Sequence, residues 1–186
     1  EPIVWGLDVA RFGGDNSALC VRQGNTVLEI KSFASMDLMQ LCGVVKNRYD
    51  DSTVMEQPQE ILVDVIGLGA GVVDRLREQN LPVRGVNVAE APSTKKNYLN
   101  LRAELWFAIK DWLAQRDCRL PNDDELVSEL AAPLYKYTST GKIKIESKDE
   151  MRKRGIKSPD KADALALTMA SSAASFSGSE SYFGYN

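Results

Sequence analysis

The sequence predicts a single α/β domain built on a mixed β-sheet. Its first three strands are expected to be antiparallel and the later ones parallel, with helices on both faces and an extra hairpin near the C-terminus. Three observations lead there. The N-terminal part reads as three β-rich runs joined by turns, and a helix–strand–helix–strand alternation follows. The second half is dominated by stretches of helical period. At 186 residues the chain suits one well-packed core.

The elements follow in order. PIVWGLDV (2–9) is a strand ending near Asp8, RFGGDN a turn, SALCVRQ a second strand, GN a hairpin turn, and TVLEIKSF a third strand. Asp37 caps a helix over LMQLCGVVKNRY, whose Leu38, Leu41, Val44 and Val45 recur at helical spacing. ILVDV is a fourth strand, followed by a glycine turn and a helix through Val72, Val73, Leu76 and Leu81, with PVRGVNV as a fifth strand. After the loop APSTKKN, YLNLRAELWFAIKDWLAQRD carries one apolar stripe of Leu101, Leu105, Ile109, Trp112 and Leu113. DDELVSELAAPL is a helix stopped by Pro133, and YKYTSTGKIKIE is a hairpin with Gly141 in its turn. The last helix, in SPDKADALALTMASSA, has Ser158 as cap and Pro159 in its first turn. The domain is expected to span 1–174, and 175–186 reads as a flexible polar tail rich in serine and glycine.

Composition narrows the chemistry. No apolar stretch approaches the roughly 18 residues that span a bilayer, and no signal-peptide layout opens the chain. The abrupt entry into a strand suggests a domain cut from a longer protein. Cys20, Cys42 and Cys118 are scattered and odd in number, which argues for a reducing, cytoplasmic compartment and against disulfides or zinc. Histidine is absent. That removes Ser-His-Asp and Cys-His catalysis, HExxH metalloproteases and nucleases with a histidine base. Catalysis here must rest on carboxylates, lysines, hydroxyls or a metal.

The stretch ILVDVIGLGAGVVDRL (61–76) invites a dinucleotide reading, but the fingerprint fails. Gly67, Gly69 and Gly71 are spaced GxGxG, Val72 takes the place of the third required glycine, and Asp64 would repel a pyrophosphate. STGKI lacks the hydroxyl residue and first glycine of a phosphate-binding P-loop.

Asp64 reads better as a cation ligand. A carboxylate near the end of an apolar strand is costly to bury unless it is paired or metal-bound. Asp8 has the same setting, and adjacent first and fourth strands would make the two neighbours whose repulsion a divalent metal relieves. The last helix supplies Asp160 and Asp163 on one face. Asp160 can serve merely as an early-helix acid favoured by the dipole, so Asp163 is the preferred third ligand. A pair of Mg²⁺ or Mn²⁺ ions about 4 Å apart suits phosphodiester hydrolysis, and activation of water by the metal replaces the missing histidine base. Charge distribution agrees with a polyanionic substrate. Nine basic and four acidic residues between Lys136 and Lys161 give a local +5 within a chain of net −3. Lys142, Lys144, Arg152, Lys153, Arg154 and Lys157 are candidate phosphate contacts, with Lys95 and Lys96 as possible additions, and KRGIK reads as a mobile arm.

With these residues in place, the chain resembles the nuclease domain of the large terminase subunit of tailed double-stranded DNA bacteriophages, a ribonuclease H-like fold. The resemblance covers about residues 3–172. It rests on GLDVARFGGDNSAL, ILVDVIGLGAGVVDRL, NLRAELWFAIKDWL and RGIKSPDKADALALTMA, of which the last two are the more specific in combination. It implies an acidic triad at Asp8, Asp64 and Asp163, and an accessory role for Asp15 through water or a second metal. It further implies endonucleolytic cutting of concatemeric double-stranded DNA in the host cytoplasm, with an N-terminal ATPase domain, the small terminase subunit and the portal protein as partners. The tail from Ser175 to Asn186 is a candidate portal contact. Other ribonuclease H-like nucleases, such as junction resolvases, fit the first two motifs as well. A nucleotide-binding or docking module remains the alternative of another class.

Overall fold

The computed structural model describes residues 1–10, 15–93 and 97–171. Five strands form the main sheet: β1 (Ile3–Asp8), β2 (Ser17–Gln23), β3 (Thr26–Phe33), β4 (Glu60–Asp64) and β5 (Val83–Val86). Their order is β3-β2-β1-β4-β5. β1 pairs antiparallel with β2, and β2 with β3, while β4 runs parallel to both β1 and β5. The mixed sheet expected from the sequence is thus realised.

Helices cover both faces. On one side, α1 (Leu38–Asp50) and α2 (Gly69–Glu78) pack on Trp5, Leu7, Ile61 and Val63, with Leu41, Val45, Val72 and Leu76 turned inward. On the other, α3 (Leu101–Ala114), α4 (Asp124–Ala131) and α6 (Asp160–Thr168) meet Ala18, Cys20 and Leu62 through Leu105, Ile109, Trp112, Leu126 and Leu165. Strand alternation explains the division: successive side chains point to opposite faces. Because Leu7 and Val63 belong to the α1–α2 side, Asp8 and Asp64 point to the α6 side.

A hairpin, β6 (Tyr135–Tyr137) with β7 (Ile143–Ile145), stands apart from the main sheet, as the sequence predicts. Asp37 caps α1 through a reciprocal capping box with Gln40, and Asn100 caps α3. Two local features differ from the sequence reading. The basic run holds a short helix absent from that reading, α5 (Lys148–Lys153), closed by a capping box between Ser147 and Glu150, and only Lys153 of KRGIK belongs to it. The cap of α6 is Pro159 rather than Ser158, and the first turn is served instead by Glu129 of α4, whose Oε2 accepts the Ala162 N–H at 2.9 Å. The tail from Ser175 to Asn186, Lys95 and Lys96 lie outside the described residues.

Gly6 decides how closely α6 approaches. A Cβ there would lie 2.0 Å from the Ala164 carbonyl oxygen, so only glycine lets the helix rest on β1. Arg22 anchors the other end of that helix. Although 1% exposed, its guanidinium donates to Thr168 Oγ1 and to the Thr168 carbonyl, each at 2.8 Å, and so satisfies the helix C-terminus.

Candidate active site

The carboxylates collect at the carboxyl ends of β1 and β4. Leu7 pairs with Val63 in the parallel register, so Asp8 and Asp64 follow as neighbours on adjacent strands. After Asp64 the chain turns at once into α2. Gly67 takes φ 73°, and a Cβ on Gly69 would stand 1.6 Å from the Asp64 carbonyl oxygen. The glycines therefore let the turn fold tightly behind a carboxylate. The Asp64 side chain closes the same turn by accepting the Ile66 N–H at 3.1 Å.

Asp8, Asp15, Asp64 and Asp163 line one cavity of about 330 Å³, together with Arg102 and Lys148. Asp160 is not on that wall. It borders an adjoining groove of about 370 Å³, where Asn16 N–H donates to its Oδ2 at 3.2 Å. Asp163 thus lines the cavity and Asp160 the groove beside it.

The electrostatics centre on one ammonium group. Lys148 Nζ donates to Asp8 Oδ2 at 2.8 Å and to Asp160 Oδ1 at 3.2 Å, and lies 3.3 Å from Asp163 Oδ2. Burial opposes its charge, but Asp8, Asp163 and Asp160 outweigh burial and hold it protonated, above the usual lysine range. Burial pushes the Asp8 carboxyl up to about 7, with Lys148 opposing and the Asp163 charge adding to the rise. Burial works the same way on Asp163, yet Arg102, Lys148 and the Trp106 indole together keep that acid below the normal carboxylate range.

Asp163 is oriented by two residues of α3. Trp106 Nε1 donates to its Oδ1 at 2.8 Å and an Arg102 guanidinium nitrogen does so at 3.2 Å, while the other Arg102 nitrogen is held by the Glu146 carbonyl. Oδ2 is buried and accepts no hydrogen bond of good geometry. Among the described residues, no three acidic or cysteine side chains already form a metal cage. The chemistry of the set nevertheless suits a hard divalent cation. It offers oxygen donors only, one buried carboxylate oxygen without a hydrogen bond, and a second acid that burial alone would keep protonated.

The basic residues divide. Arg152 sits at the cavity rim, its guanidinium 2.8 Å from Asp149 and 3.3 Å from Asp15. Lys144 pairs with Glu150 at 3.0 Å, and Arg154 with Glu146 at 2.8 Å, and unlike Arg152 neither lines the cavity. Lys142, Lys153 and Lys157 are exposed, and Lys157 borders the second groove. Sequence reasoning passed over Lys148, Arg102 and Trp106. Lys148 is one of nine cations in its run, and only contacts distant in the chain distinguish it.

No protein-family model matches the sequence, and no curated protein matches it. Solved structures do share its fold. The nuclease domain of the large terminase subunit of bacterial virus Sf6, in a mutant form with manganese and beta-thujaplicinol, superposes with a TM-score of 0.80. It is 21% identical, over 92% of this chain and 89% of that one. The large terminase nuclease of thermophilic phage G20c with bound magnesium gives 0.68 at 16% identity, over 90% and 80%. The nuclease domain of Thermus phage P74-26 gives 0.64 at 15%, over 89% and 77%. The chain therefore has an α/β fold of the ribonuclease H-like class. Within that class, its fold is that of the nuclease domains of phage large terminase subunits.

Proposed function

We propose that this chain is a metal-dependent DNA endonuclease domain of a viral genome-packaging terminase. The observation that carries the reading is the convergence of Asp8, Asp64 and Asp163, from three separate elements, on one cavity. The metals named in the similar terminase nucleases, manganese and magnesium, support it. Asp8, Asp64 and Asp163 would hold the ions, with Asp15 accessory at the rim. When bound, a pair of Mg²⁺ or Mn²⁺ ions polarises the phosphodiester and lowers the pKa of the attacking water.

The protein's own residues do the rest. Trp106 and Arg102 fix Asp163 so that Oδ2 faces Lys148 and the cavity. Lys148 neutralises the acids, and its ammonium stands among the carboxylates that would hold the ions. Arg152, at the rim, is the best placed of the expected phosphate contacts, with Lys142, Lys153 and Lys157 further out. The substrate is concatemeric double-stranded DNA in the host cytoplasm. The ATPase domain, small subunit and portal complete the motor. No helix among the described residues is long and apolar enough to cross a membrane.

Plasmid cleavage with Mn²⁺ tests the reading. The wild-type chain should nick and linearise supercoiled DNA, and Asp64→Ala should lose that activity while keeping its circular dichroism spectrum. Unchanged cleavage by Asp64→Ala would refute the assignment. Preferential cutting of four-way junctions over plain duplex would favour the resolvase alternative.

A further inference from the structure

Tyr135 and Tyr137 on β6 are the only exposed aromatic residues among the described residues, at 55% and 66% exposure. Strand alternation sets both on one face of the hairpin, with Lys136 on the other. Their rings end a row that begins in the interior. Tyr98 lies 5.3 Å from Phe107, Phe107 lies 5.3 Å from Tyr135 at 90°, and Tyr135 lies 6.3 Å from Tyr137. Edge contacts of this kind hold the rings in place while leaving their outer surfaces to solvent.

The hairpin, rather than the ring row itself, leads to the acidic cavity: Tyr135 pairs with Ile145 of β7, and Ser147 and Lys148, two and three residues further on, line that cavity. The hairpin is also tied to the N-terminal approach of α3 by the Leu99 N–H, which donates to the Ile143 carbonyl at 2.8 Å. Cations flank the rings. Lys110 Nζ lies 5.6 Å from the Phe107 centroid, and Lys142 is exposed in the hairpin turn beyond Tyr137.

Rigid, solvent-facing rings bordered by lysines match a polyanion that carries flat apolar faces. Paired bases in a duplex stack on one another and offer no free face, whereas unpaired bases do. The geometry points to the Tyr135–Tyr137 face as a stacking platform for unpaired bases of a DNA strand at the mouth of the acidic cavity. This rests on the nuclease reading and deepens it: the chain would grip a frayed or overhanging end as well as the duplex. Stacking supplies the contact to bases, and Lys110 and Lys142 the contact to phosphates.

Fluorescence anisotropy in EDTA, where no cutting occurs, tests this with three labelled DNAs: a single strand, a duplex with an overhang, and a duplex capped at both ends by polyether linkers that carry no bases. The Tyr135→Ala/Tyr137→Ala double variant should lose about tenfold or more in affinity for the first two and stay within about twofold on the capped duplex. Tyr135→Phe/Tyr137→Phe should bind like wild type, since the ring faces persist. Tyr137→Ala alone serves should the double variant fold poorly, because Tyr137 is the outermost ring. Equal losses on all three DNAs, or none, overturn the platform; unchanged binding would instead suit a protein partner on this face. A wild-type chain that cuts plasmid yet shows no such loss overturns only this inference. One that neither binds nor cuts any DNA overturns the nuclease reading beneath it.

Discussion

Lys148 Nζ lies 2.8 Å from Asp8 Oδ2, although 140 residues separate the two in the chain. The contact joins the amino-terminal strand to the short helix that precedes α6, and it sets an internal cation among acids that would otherwise repel one another.

Removing that cation should separate stability from metal affinity. In Lys148→Met, metal-free protein is expected to lose about 3 kcal/mol of stability at pH 8, because buried carboxylates are left without their partner. Mn²⁺ should then raise the melting temperature by more than it does in wild type, since no ammonium competes for the acids. Differential scanning fluorimetry with and without Mn²⁺ reads both effects. A smaller Mn²⁺ shift in the variant would mean that Lys148 helps to bind the ion rather than standing in for it.

The Asp8 shift carries a sign that can be checked. Its folded-state pKa, about 7, exceeds the unfolded value of 3.8, so between those values the folded chain binds the extra proton. Stability from this group is therefore present at low pH and falls as pH rises towards 7. In EDTA, Asp8→Asn should unfold like wild type near pH 4 and be more stable at pH 8, by about 4 kcal/mol. Urea denaturation at the two pH values decides it; an equal difference at both would show that Asp8 is not the titrating group.

Gly6 should be intolerant for reasons of function as much as of packing. Alanine there would drive a Cβ to 2.0 Å from the Ala164 carbonyl oxygen and 3.0 Å from Thr168 Cγ2, lifting α6 from β1. Gly6→Ala is expected to cost about 1–3 kcal/mol. Its cleavage rate should fall further than the loss of folded protein explains, because α6 carries Asp163. A variant of reduced stability but full activity per folded molecule would show that Asp163 keeps its place without the close contact.

Much of this site was legible along the chain. Asp8 and Asp64 each end an apolar strand before a glycine turn, a local pattern that needs no tertiary knowledge. The helix between β3 and β4 favours a parallel crossover, which sets β4 parallel to β3 and so to β1; the sheet order then places β4 beside β1. The preference for Asp163 over Asp160 rested on its depth in the helix. Charge density, by contrast, did not tell the cations of the run apart. Lys144 and Arg154 belong to the basic run, yet Glu150 and Glu146 occupy them. The helix Lys148–Lys153 was hidden inside the same run, although its Ser147–Glu150 capping box is written in the sequence.

By itself, then, the amino-acid order determined the strands, their terminal acids, the glycine turns and the absence of any imidazole base, since these depend on neighbours a few residues apart. Only the tertiary structure decided that Lys148 answers Asp8, that Trp106 and Arg102 aim Asp163, and that two tyrosines stand outward at the end of a ring row. Those contacts join groups tens of residues or more apart, and pairing over that distance is set by the packing of α3, α5, α6 and the hairpin around the sheet rather than by local propensity.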